Sequence, residues 1–373
     1  MFRYGNFLSK GLLKRGHDIE IWGPKLYLSD NNLPGGIKKW LRYIDQFVLF
    51  PIWFKNKSKR LPASTLYVVI DQALGMWMPL LRHKKHVVHC HDFIALKSAL
   101  GKIGENPTSW TGKVYQQLIL KGFSMSNCFI SISKNTQNEL MEFLEKKPVK
   151  NAQVYNAIDP MFIPGSMKVA RRSIGQFLNK ELNSGYILHV GGNTFYKNRV
   201  GLVQLYNAWR NMTNKAIPLL MVGALPDTKL IDQFEASPYK NDIHFLVKID
   251  DELLLKAYQG ATVFVFPSLA EGFGYPIVEA MAVGCPVITT DEAPMNEVGG
   301  TAAVYIRRKP NKNGSSTWAN ESAKVLESVI GLTEEERADL VLRVLANAKR
   351  FEAEKASDKI EGIYKEIVAE EVK

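Results

Sequence analysis

The stretch from residue 261 to residue 290, ATVFVFPSLAEGFGYPIVEAMAVGCPVITT, constrains the fold more than any other part of the chain. Its first part, 261–267, is a short apolar, β-branched and aromatic run, typical of a strand buried on both faces. A loop with two glycines follows, and Pro276 predicts the start of a helix because the first helical position needs no N–H group. Gly284 ends that helix, and another strand begins at 287–289. This order predicts an α/β fold whose ligand site lies at the carboxyl ends of parallel strands.

The loop and the first turns of this helix carry two carboxylates beside features that favour an anion. Glu271 lies at the start of the loop and Glu279 one turn into the helix. The helix dipole favours negative charge there, and Gly272 and Gly274 allow a phosphate to approach the backbone closely. A ligand with both phosphates and hydroxyls would satisfy all of these groups, since carboxylates accept hydrogen bonds from sugar and ribose diols. The alternative is a solvated loop acid and a glutamate that only complements the helix dipole.

The segment PSLAEGFGYPIVEAMAVGCPVI resembles the signature of retaining GT-B glycosyltransferases of the family 4 (group 1) type, as in bacterial polysaccharide and lipopolysaccharide synthesis. In that signature two glutamates are separated by seven residues, and here they are Glu271 and Glu279. The resemblance implies two Rossmann-like domains that face each other across a cleft. The expected divisions are a basic acceptor-binding domain (1–165), a nucleotide-sugar-binding domain (166–345), and a final helix (346–373) that packs back on the first domain.

Size and charge agree with two domains and one anionic partner. The chain has 373 residues, of which 46% are hydrophobic and 23% are charged, as in a globular protein. Cys90, Cys128 and Cys285 are far apart, which predicts buried free thiols in a reducing compartment. No secretory signal and no membrane-spanning run is predicted. The net charge is +11, and all of the basic excess lies in residues 1–160, which predicts a membrane surface or a nucleic acid as partner of the first domain.

Residues 36–60 alternate apolar and aromatic residues with basic ones. The apolar residues that fall near one helical face are Trp40, Leu41, Ile44, Phe47 and Val48. This pattern predicts a helix in an anionic membrane interface or, as the alternative, a helix that packs on the core with a basic solvated end. The resemblance favours the membrane, because many enzymes of this family use lipid-linked acceptors from the cytoplasmic face. The aromatic residues form no recognisable single-strand platform, so we expect no nucleic acid as partner.

The segment VVHCHDF ends a predicted strand of the first domain. It resembles a family motif whose histidine faces the donor sugar across the cleft, and His91 is the residue that matches. His89 would point to the same side of the strand, so a metal pair is an alternative, although no third ligand has a recognisable spacing. Asp92 orients a loop or contacts the acceptor, or, as an equal alternative, has a purely structural role in a turn.

The second domain is predicted to begin with a strand followed by the loop GGNTFYKNR. Gly191 and Gly192 allow a tight turn beside a phosphate, Asn193 follows them, and Lys197 supplies a mobile cation for a diphosphate. The family often has an arginine earlier in this loop. Lys197 is therefore expected to supply the positive charge nearly alone, with Arg199 as a weak substitute.

The resemblance implies transfer of a sugar from a GDP- or UDP-linked donor to a hydroxyl of a glycan or lipid-linked acceptor, with retained anomeric configuration. The expected catalytic residues are Glu271, His91 and Lys197. The expected donor-binding residues are Glu279, Gly272, Phe273, Gly274, Tyr275, Gly191, Gly192, Asn193, Val247 and Ile249. In this scheme Glu279 holds the ribose diol and Glu271 the sugar hydroxyls. We expect no metal ion or other cofactor, and a cytoplasmic location that includes the inner face of the cell membrane.

Two alternatives stay open: a nucleotide-sugar epimerase, which shares the GT-B fold, and a sugar-nucleotide-binding protein with impaired catalysis. The second alternative follows from the start of the chain. GLLKRGHDIEIW resembles the first helix and second strand of the family's N-terminal domain, so residues 18–22 are predicted to be a strand. The strand and Gly-rich loop that normally precede this helix are expected to be absent, which would expose a neighbouring strand.

Overall fold

A computed structural model describes residues 2–25, 27–28, 35–311 and 314–369 of the protein; the predicted domains also include Met1 and residues 370–373, which lie outside the described residues. The strands in these ranges are β1 (Tyr67–Val69), β2 (His86–Cys90), β3 (Cys128–Ser131), β4 (Lys150–Gln153), β5 (Ile187–Val190), β6 (Leu219–Gly223), β7 (Ile243–Val247), β8 (Val263–Phe266), β9 (Val287–Thr290) and β10 (Val304–Ile306). They form a four-stranded sheet in the order β1-β2-β3-β4 and a six-stranded sheet in the order β10-β9-β8-β5-β6-β7. Neighbouring strands are parallel throughout both sheets.

Helices follow most of the strands and cover the faces of both sheets. Those in the described ranges are α1 (Phe2–Lys14), α2 (Gly35–Ile44), α3 (Phe50–Ser58), α4 (Ile94–Ala99), α5 (Trp110–Phe123), α6 (Lys134–Phe143), α7 (Met167–Leu178), α8 (Arg199–Met212), α9 (Thr228–Glu235), α10 (Asp251–Gly260), α11 (Tyr275–Ala282), α12 (Met295–Gly299), α13 (Ser315–Ile330), α14 (Glu334–Ala348) and α15 (Ala353–Ala369). Parallel strands need such crossover helices. The predicted architecture of two α/β domains with parallel sheets is confirmed.

The predicted strand–loop–helix–strand at 261–290 forms β8, α11 and β9. All four residues of β8 are fully buried, since the strand lies between β5 and β9 and helices cover both of its faces. Gly274 precedes α11 with φ at +95°, a left-handed conformation that L side chains rarely adopt. Pro276 lies in the first turn of the helix, where its missing N–H group costs no hydrogen bond.

In the first sheet, alternate residues of β2 point to two separate apolar clusters. Val88 packs with residues of α3 and α5 on one face, whereas Val87 packs with residues of α1 and α15 on the other. Polar contacts reinforce the second cluster, because Arg15, directly after α1, pairs with Glu354 and Asp358 at 2.7 and 2.5 Å. The final helix therefore packs on the first domain, as predicted.

Residues 36–60 form α2 and α3, joined by a π-helical segment at Asp45–Leu49. The two halves have different environments. Phe50 and Phe54 of α3 are each 7% exposed and belong to the core of the first domain, whereas Trp40 of α2 is 71% exposed. The core-packing alternative thus describes the second half and leaves the first half on the surface. None of the helices in the described ranges combines the length and apolar character needed to cross a membrane.

The prediction of a strand at 18–22 is wrong, because these residues have no regular secondary structure. A strand is stabilised by a hydrogen-bonded neighbour, and in the described part of the chain the first sheet ends at β1 instead. The aromatic ring of Trp22 packs edge-on against Trp53 and Phe54 at centroid distances of 5.1 and 5.3 Å. Side-chain packing holds this segment without a backbone ladder.

Candidate active site

Aromatic packing of Phe273 and Tyr275 fixes the loop between β8 and α11. Phe273 is 3% exposed, and its ring lies 5.5 Å from Phe351, so its side chain belongs to the core. Tyr275 opens α11 and packs beneath the guanidinium of Arg3, 4.8 Å from the ring centroid. The first N–H groups of a helix have no partner within the helix and carry its positive dipole end. This end of α11 therefore favours a negatively charged ligand.

Two of the predicted catalytic residues meet in this loop. Lys197 Nζ lies 2.7 Å from Glu271 Oε1, and their side chains are only 16% and 8% exposed. Ser268 donates its hydroxyl to the same carboxylate oxygen at 2.7 Å. Lys197 also lies 4.8 Å from the ring centroid of Phe266, at the end of β8. Residues 74 positions apart in the chain thus form a half-buried charged group at the carboxyl end of the sheet.

His91 directly follows β2 in the first domain, and its backbone carbonyl contacts this loop at Gly272. Its Nε2 is 2.8 Å from the carbonyl oxygen of Ile70. A carbonyl only accepts, so Nε2 carries the proton and Nδ1 of the neutral ring is an acceptor. Burial lowers the pKa of His91, although the nearby charge of Asp71 opposes this effect. The ring is therefore neutral at pH 7.

The two domains touch at Gly272. A Cβ atom at this position would lie 2.2 Å from the carbonyl oxygen of His91, so only glycine fits. Ser133, at the start of α6, donates to the Gly272 carbonyl at 3.0 Å. Glu297 accepts hydrogen bonds from the first two backbone N–H groups of α6 at 2.6 and 3.1 Å. The sequence predicts that Gly272 allows a phosphate to approach the backbone closely. In the structure, the absence of a side chain at Gly272 makes room for the other domain.

Glu279 projects from α11 with 4% of its surface exposed and has partners on both oxygens. Arg3 of α1 contacts Oε1 at 2.6 Å, and Tyr258 of α10 donates to Oε2 at 2.8 Å. Arg3 lies 276 positions away in the sequence, in the other domain. Sequence reasoning missed both partners, because no spacing or motif connects them to Glu279.

The ends of β5, β6 and β7 form one edge of the second sheet. Gly223 pairs in register with Val247, and a Cβ on Gly223 would lie 2.1 Å from the carbonyl oxygen of Gly191. Val247 and Ile249 are half-buried at the end of β7. No atom lies within 4 Å of a Cβ built on Gly192, so its surroundings have space for a side chain or a ligand. These predicted donor-binding residues lie side by side at the carboxyl ends of the strands.

Arg199, the weak substitute for the missing loop arginine, is 5% exposed and buried behind this loop. It donates to the side chain of Asn193 and, at 3.0 Å, to the carbonyl oxygen of Ala224. Burial lowers the pKa of the guanidinium, although the charge of Asp227 opposes this. Arg199 supports the loop from within. In the described part of the chain, Lys197 pairs with Glu271 and Arg3 with Glu279.

His89, which would form a metal pair with His91 in the alternative interpretation, is fully buried between two tyrosines. Tyr4 of α1 lies 2.6 Å from Nδ1, and Tyr364 of α15 lies 2.6 Å from Nε2. Burial lowers the pKa of His89 to about 3, so the ring is neutral. Among the described residues, no group of three or more His, Cys, Asp and Glu side chains is placed to hold a metal ion. His89 joins three elements of the first domain by hydrogen bonds.

One family model matches part of the second domain. Residues 171–304 match the model described as "Glycosyl transferases group 1". The predicted resemblance to group 1 glycosyltransferases is confirmed. The match includes Lys197, Glu271 and Glu279, and ends within β10.

Two curated relatives of this chain are named as O-antigen chain mannosyltransferases. O-antigen chain mannosyltransferase B of Escherichia coli is 33% identical over 183 residues, which cover 48% of this chain and 46% of the relative. O-antigen chain mannosyltransferase RfbU of Salmonella typhimurium is 25% identical over 217 residues, which cover 57% of this chain and 56% of the relative. The chain thus spans about half the length of these curated relatives.

Solved structures show the same fold over nearly the whole chain. Sucrose-phosphate synthase from Thermosynechococcus elongatus has a TM-score of 0.75 at 18% identity, covering 98% of this chain and 93% of its own. Anabaena Alr3699/HepE, solved with UDP and glucose, has a TM-score of 0.66 at 17% identity, covering 88% of this chain and 89% of its own. The predicted GT-B fold is confirmed.

Proposed function

We propose that this protein is a retaining glycosyltransferase that moves a sugar from a nucleotide-diphosphate sugar to a hydroxyl of a glycan or lipid-linked acceptor in cell-surface polysaccharide synthesis. The observation that carries the proposal is the Lys197–Glu271 pair, which joins the turn before α8 to the loop before α11. The same loop contacts the His91 backbone of the other domain at Gly272. The O-antigen mannosyltransferases and the structure with UDP and glucose support a hexose donor linked to GDP or UDP.

The positive groups of the site would act on the leaving diphosphate. Negative charge develops on this group as the bond between its oxygen and the anomeric carbon breaks. Lys197 Nζ and the N-terminal amides of α11 are positioned to stabilise that charge. An ammonium has three donors, so Lys197 can bind a phosphate oxygen while it remains on Glu271. We infer that the reaction proceeds without a metal ion, because these groups supply the positive charge.

The remaining groups would hold the sugar and the ribose. Lys197 and Ser268 both engage Oε1 of Glu271, so we assign Oε2 to a hydroxyl of the donor sugar. Nδ1 of His91 accepts a second sugar hydroxyl from the opposite domain. Each oxygen of Glu279 has one partner and a second lone pair, with which it accepts from the ribose diol.

The test is product analysis by mass spectrometry with GDP- and UDP-linked hexoses, with and without glycan and polyprenyl-diphosphate-linked acceptors. The proposal predicts that one donor is consumed only when an acceptor is present, and that one product is heavier than the acceptor by one hexose. NMR of the new glycosidic bond should show the anomeric configuration of the donor. Conversion of a donor without any acceptor would identify an epimerase instead.

We also propose that the first domain contacts an anionic membrane through an amphipathic patch formed by α2, the π-helical segment and α5. Its most exposed large apolar side chains are Trp110 (76%), Trp40 (71%), Leu118 (56%) and Ile37 (53%). The π-helical segment lies close to α5, as shown by Gln46 Nε2 and Tyr115 Oη, which both contact the sulfur of Met76, at 3.5 and 3.7 Å. A continuous surface of this kind is suited to an interface.

The charge of the amphipathic patch supports an anionic membrane as its partner. Helix α2 contains Lys38 and Arg42, α5 contains Lys113 and Lys121, and neither helix contains an acidic residue. Basic residues beside exposed aromatics are typical of binding to anionic lipid. The protein should co-sediment with phosphatidylglycerol vesicles and much less with phosphatidylcholine vesicles, and high salt should weaken binding.

Substitution of both exposed tryptophans of the amphipathic patch, Trp40→Ser with Trp110→Ser, should abolish most of the sedimentation. Phe177→Ser is the matched control, because this phenylalanine is 53% exposed on α7 of the second domain. Equal binding by the double variant and the control would contradict the assignment of the surface.

A further inference from the structure

A cavity of about 320 Å³ opens between the two domains, beside the Lys197–Glu271 pair. The first domain contributes Asp92, Asn106 and the aliphatic start of α4, and the second contributes Thr194, Phe195 and Tyr196. The cavity adjoins the reacting groups, since the Leu269 N–H donates to the Tyr196 carbonyl at 2.7 Å. The Asp92 Cβ lies 2.9 Å from the place of a Cβ on Gly272.

The lining of this cavity combines one carboxylate, neutral polar groups and two aromatic rings. Phe195 and Tyr196 meet edge to face, with centroids 5.4 Å apart, and both are half-buried. Asp92 accepts a hydrogen bond from the Ile94 N–H at 3.0 Å through Oδ1, which fixes the orientation of its carboxylate. Among the described residues that line the cavity, none is a lysine, an arginine or a histidine.

These features select among acceptors. The C–H face of a pyranose ring is apolar and packs favourably on aromatic rings, whereas its hydroxyls donate to a carboxylate. A phosphate on the same ring would meet the charge of Asp92 without a compensating cation in the lining. The cavity therefore suits a sugar ring without a phosphate.

We propose that this cavity is the subsite for the reacting ring of the acceptor, a neutral pyranose that packs on Phe195 and Tyr196 and donates a hydroxyl hydrogen bond to Asp92. The inference rests on the proposed function and adds the chemical class of the acceptor. It distinguishes a glycan acceptor from a sugar phosphate, and Asp92 acts as a residue that orients the acceptor hydroxyl toward the donor.

The test is saturation-transfer NMR on the protein with saturating GDP or UDP. The probes are the methyl glycosides of mannose, glucose and N-acetylglucosamine, compared with mannose 6-phosphate and glucose 6-phosphate. At least one neutral glycoside should bind, with the strongest transfer to protons on one face of its ring. Tighter binding of either sugar phosphate, or no binding of any neutral glycoside, would overturn the proposal.

Two variants test the walls of the cavity. Phe195→Ala and Asp92→Asn should each raise the Kd of the bound glycoside about ten-fold or more, since each removes a main contact. The matched controls are Phe177→Ala and Asp339→Asn, both on exposed parts of the second domain. Unchanged glycoside binding in both cavity variants would also overturn the proposal.

Calorimetry with GDP and UDP separates this inference from the proposed function. Nucleotide binding should be the same within about two-fold in the cavity variants and the wild-type protein, because the cavity lies on the acceptor side of the ion pair. Failure of the wild-type protein to bind either nucleotide would refute the proposed function itself. Intact nucleotide binding with no effect of either variant on glycosides would refute only the acceptor subsite.

Discussion

Replacement of Lys197 by methionine should reduce both activity and stability, for two separable reasons. Activity should fall by about 10²–10³-fold in kcat, the usual cost of removing one preorganised donor to a developing negative charge. Stability should fall because Glu271, 8% exposed in its side chain, loses the ammonium at 2.7 Å. Breaking a buried pair costs about 3–5 kcal/mol, and the remaining Ser268 hydrogen bond places the loss near about 3 kcal/mol. For a domain of this size, that loss lowers Tm by about 6–12 °C.

The double variant Lys197→Met with Glu271→Gln separates the two effects. It removes the uncompensated charge, so most of the lost Tm should return, whereas kcat should stay low. Lys240→Met is the matched control, because Lys240 and Glu235 are also 2.7 Å apart but their side chains are 45% and 57% exposed. An exposed pair contributes at most about 1 kcal/mol, so the control should keep its Tm and its kcat. Wild-type turnover by Lys197→Met would refute the assigned role of the cation.

Three further predictions follow from other parts of the structure. Burial lowers the pKa values of His89 and His189 to about 3, below the unfolded value near 6.5, so the unfolded state takes up protons first as pH falls. The contribution of the two neutral histidines to the free energy of unfolding is fully present above pH 6.5. At pH 5 the free energy of unfolding should be lower by about 2 kcal/mol per histidine, as measured by chemical denaturation. Equal free energies of unfolding at pH 7.5 and pH 5 would contradict this prediction. Arg3→Met should raise the donor KM about ten-fold by leaving Glu279 without its cation, and an unchanged KM would remove Arg3 from the donor site. Treatment with EDTA should leave the initial rate unchanged, whereas its loss and recovery with a divalent cation would show that Lys197 and α11 do not suffice.

The strand–loop–helix around Glu271 could be predicted from the sequence because its signals are local. The run VFVF, the left-handed Gly274 and the first-turn Pro276 each act within a few residues. Propensity and periodicity describe this scale well, so the elements β8, α11 and β9 agree with the pattern.

The contacts between the domains could not be predicted in the same way. Arg3 and Glu279 are 276 positions apart, and nothing in either local pattern identifies the other as a partner. Gly272 illustrates the same limit, since a glycine in a loop suggests a ligand or a turn, whereas the close atom is a carbonyl oxygen from the other domain. The strand predicted at residues 18–22 is wrong for a related reason, because a strand requires a hydrogen-bonded neighbour that the local pattern does not specify.

In the proposed function, the cleft holds the diphosphate of a nucleotide sugar on Lys197 and the N-terminus of α11. Titration calorimetry with GDP, GMP, UDP and UMP tests it most directly, on the wild-type protein and on Lys197→Met. One diphosphate should bind the wild-type protein at least about ten-fold more tightly than its monophosphate, and Lys197→Met should lose most of that difference. Equal affinities for diphosphate and monophosphate in the wild-type protein, or no binding of any of the four nucleotides, would contradict the claim.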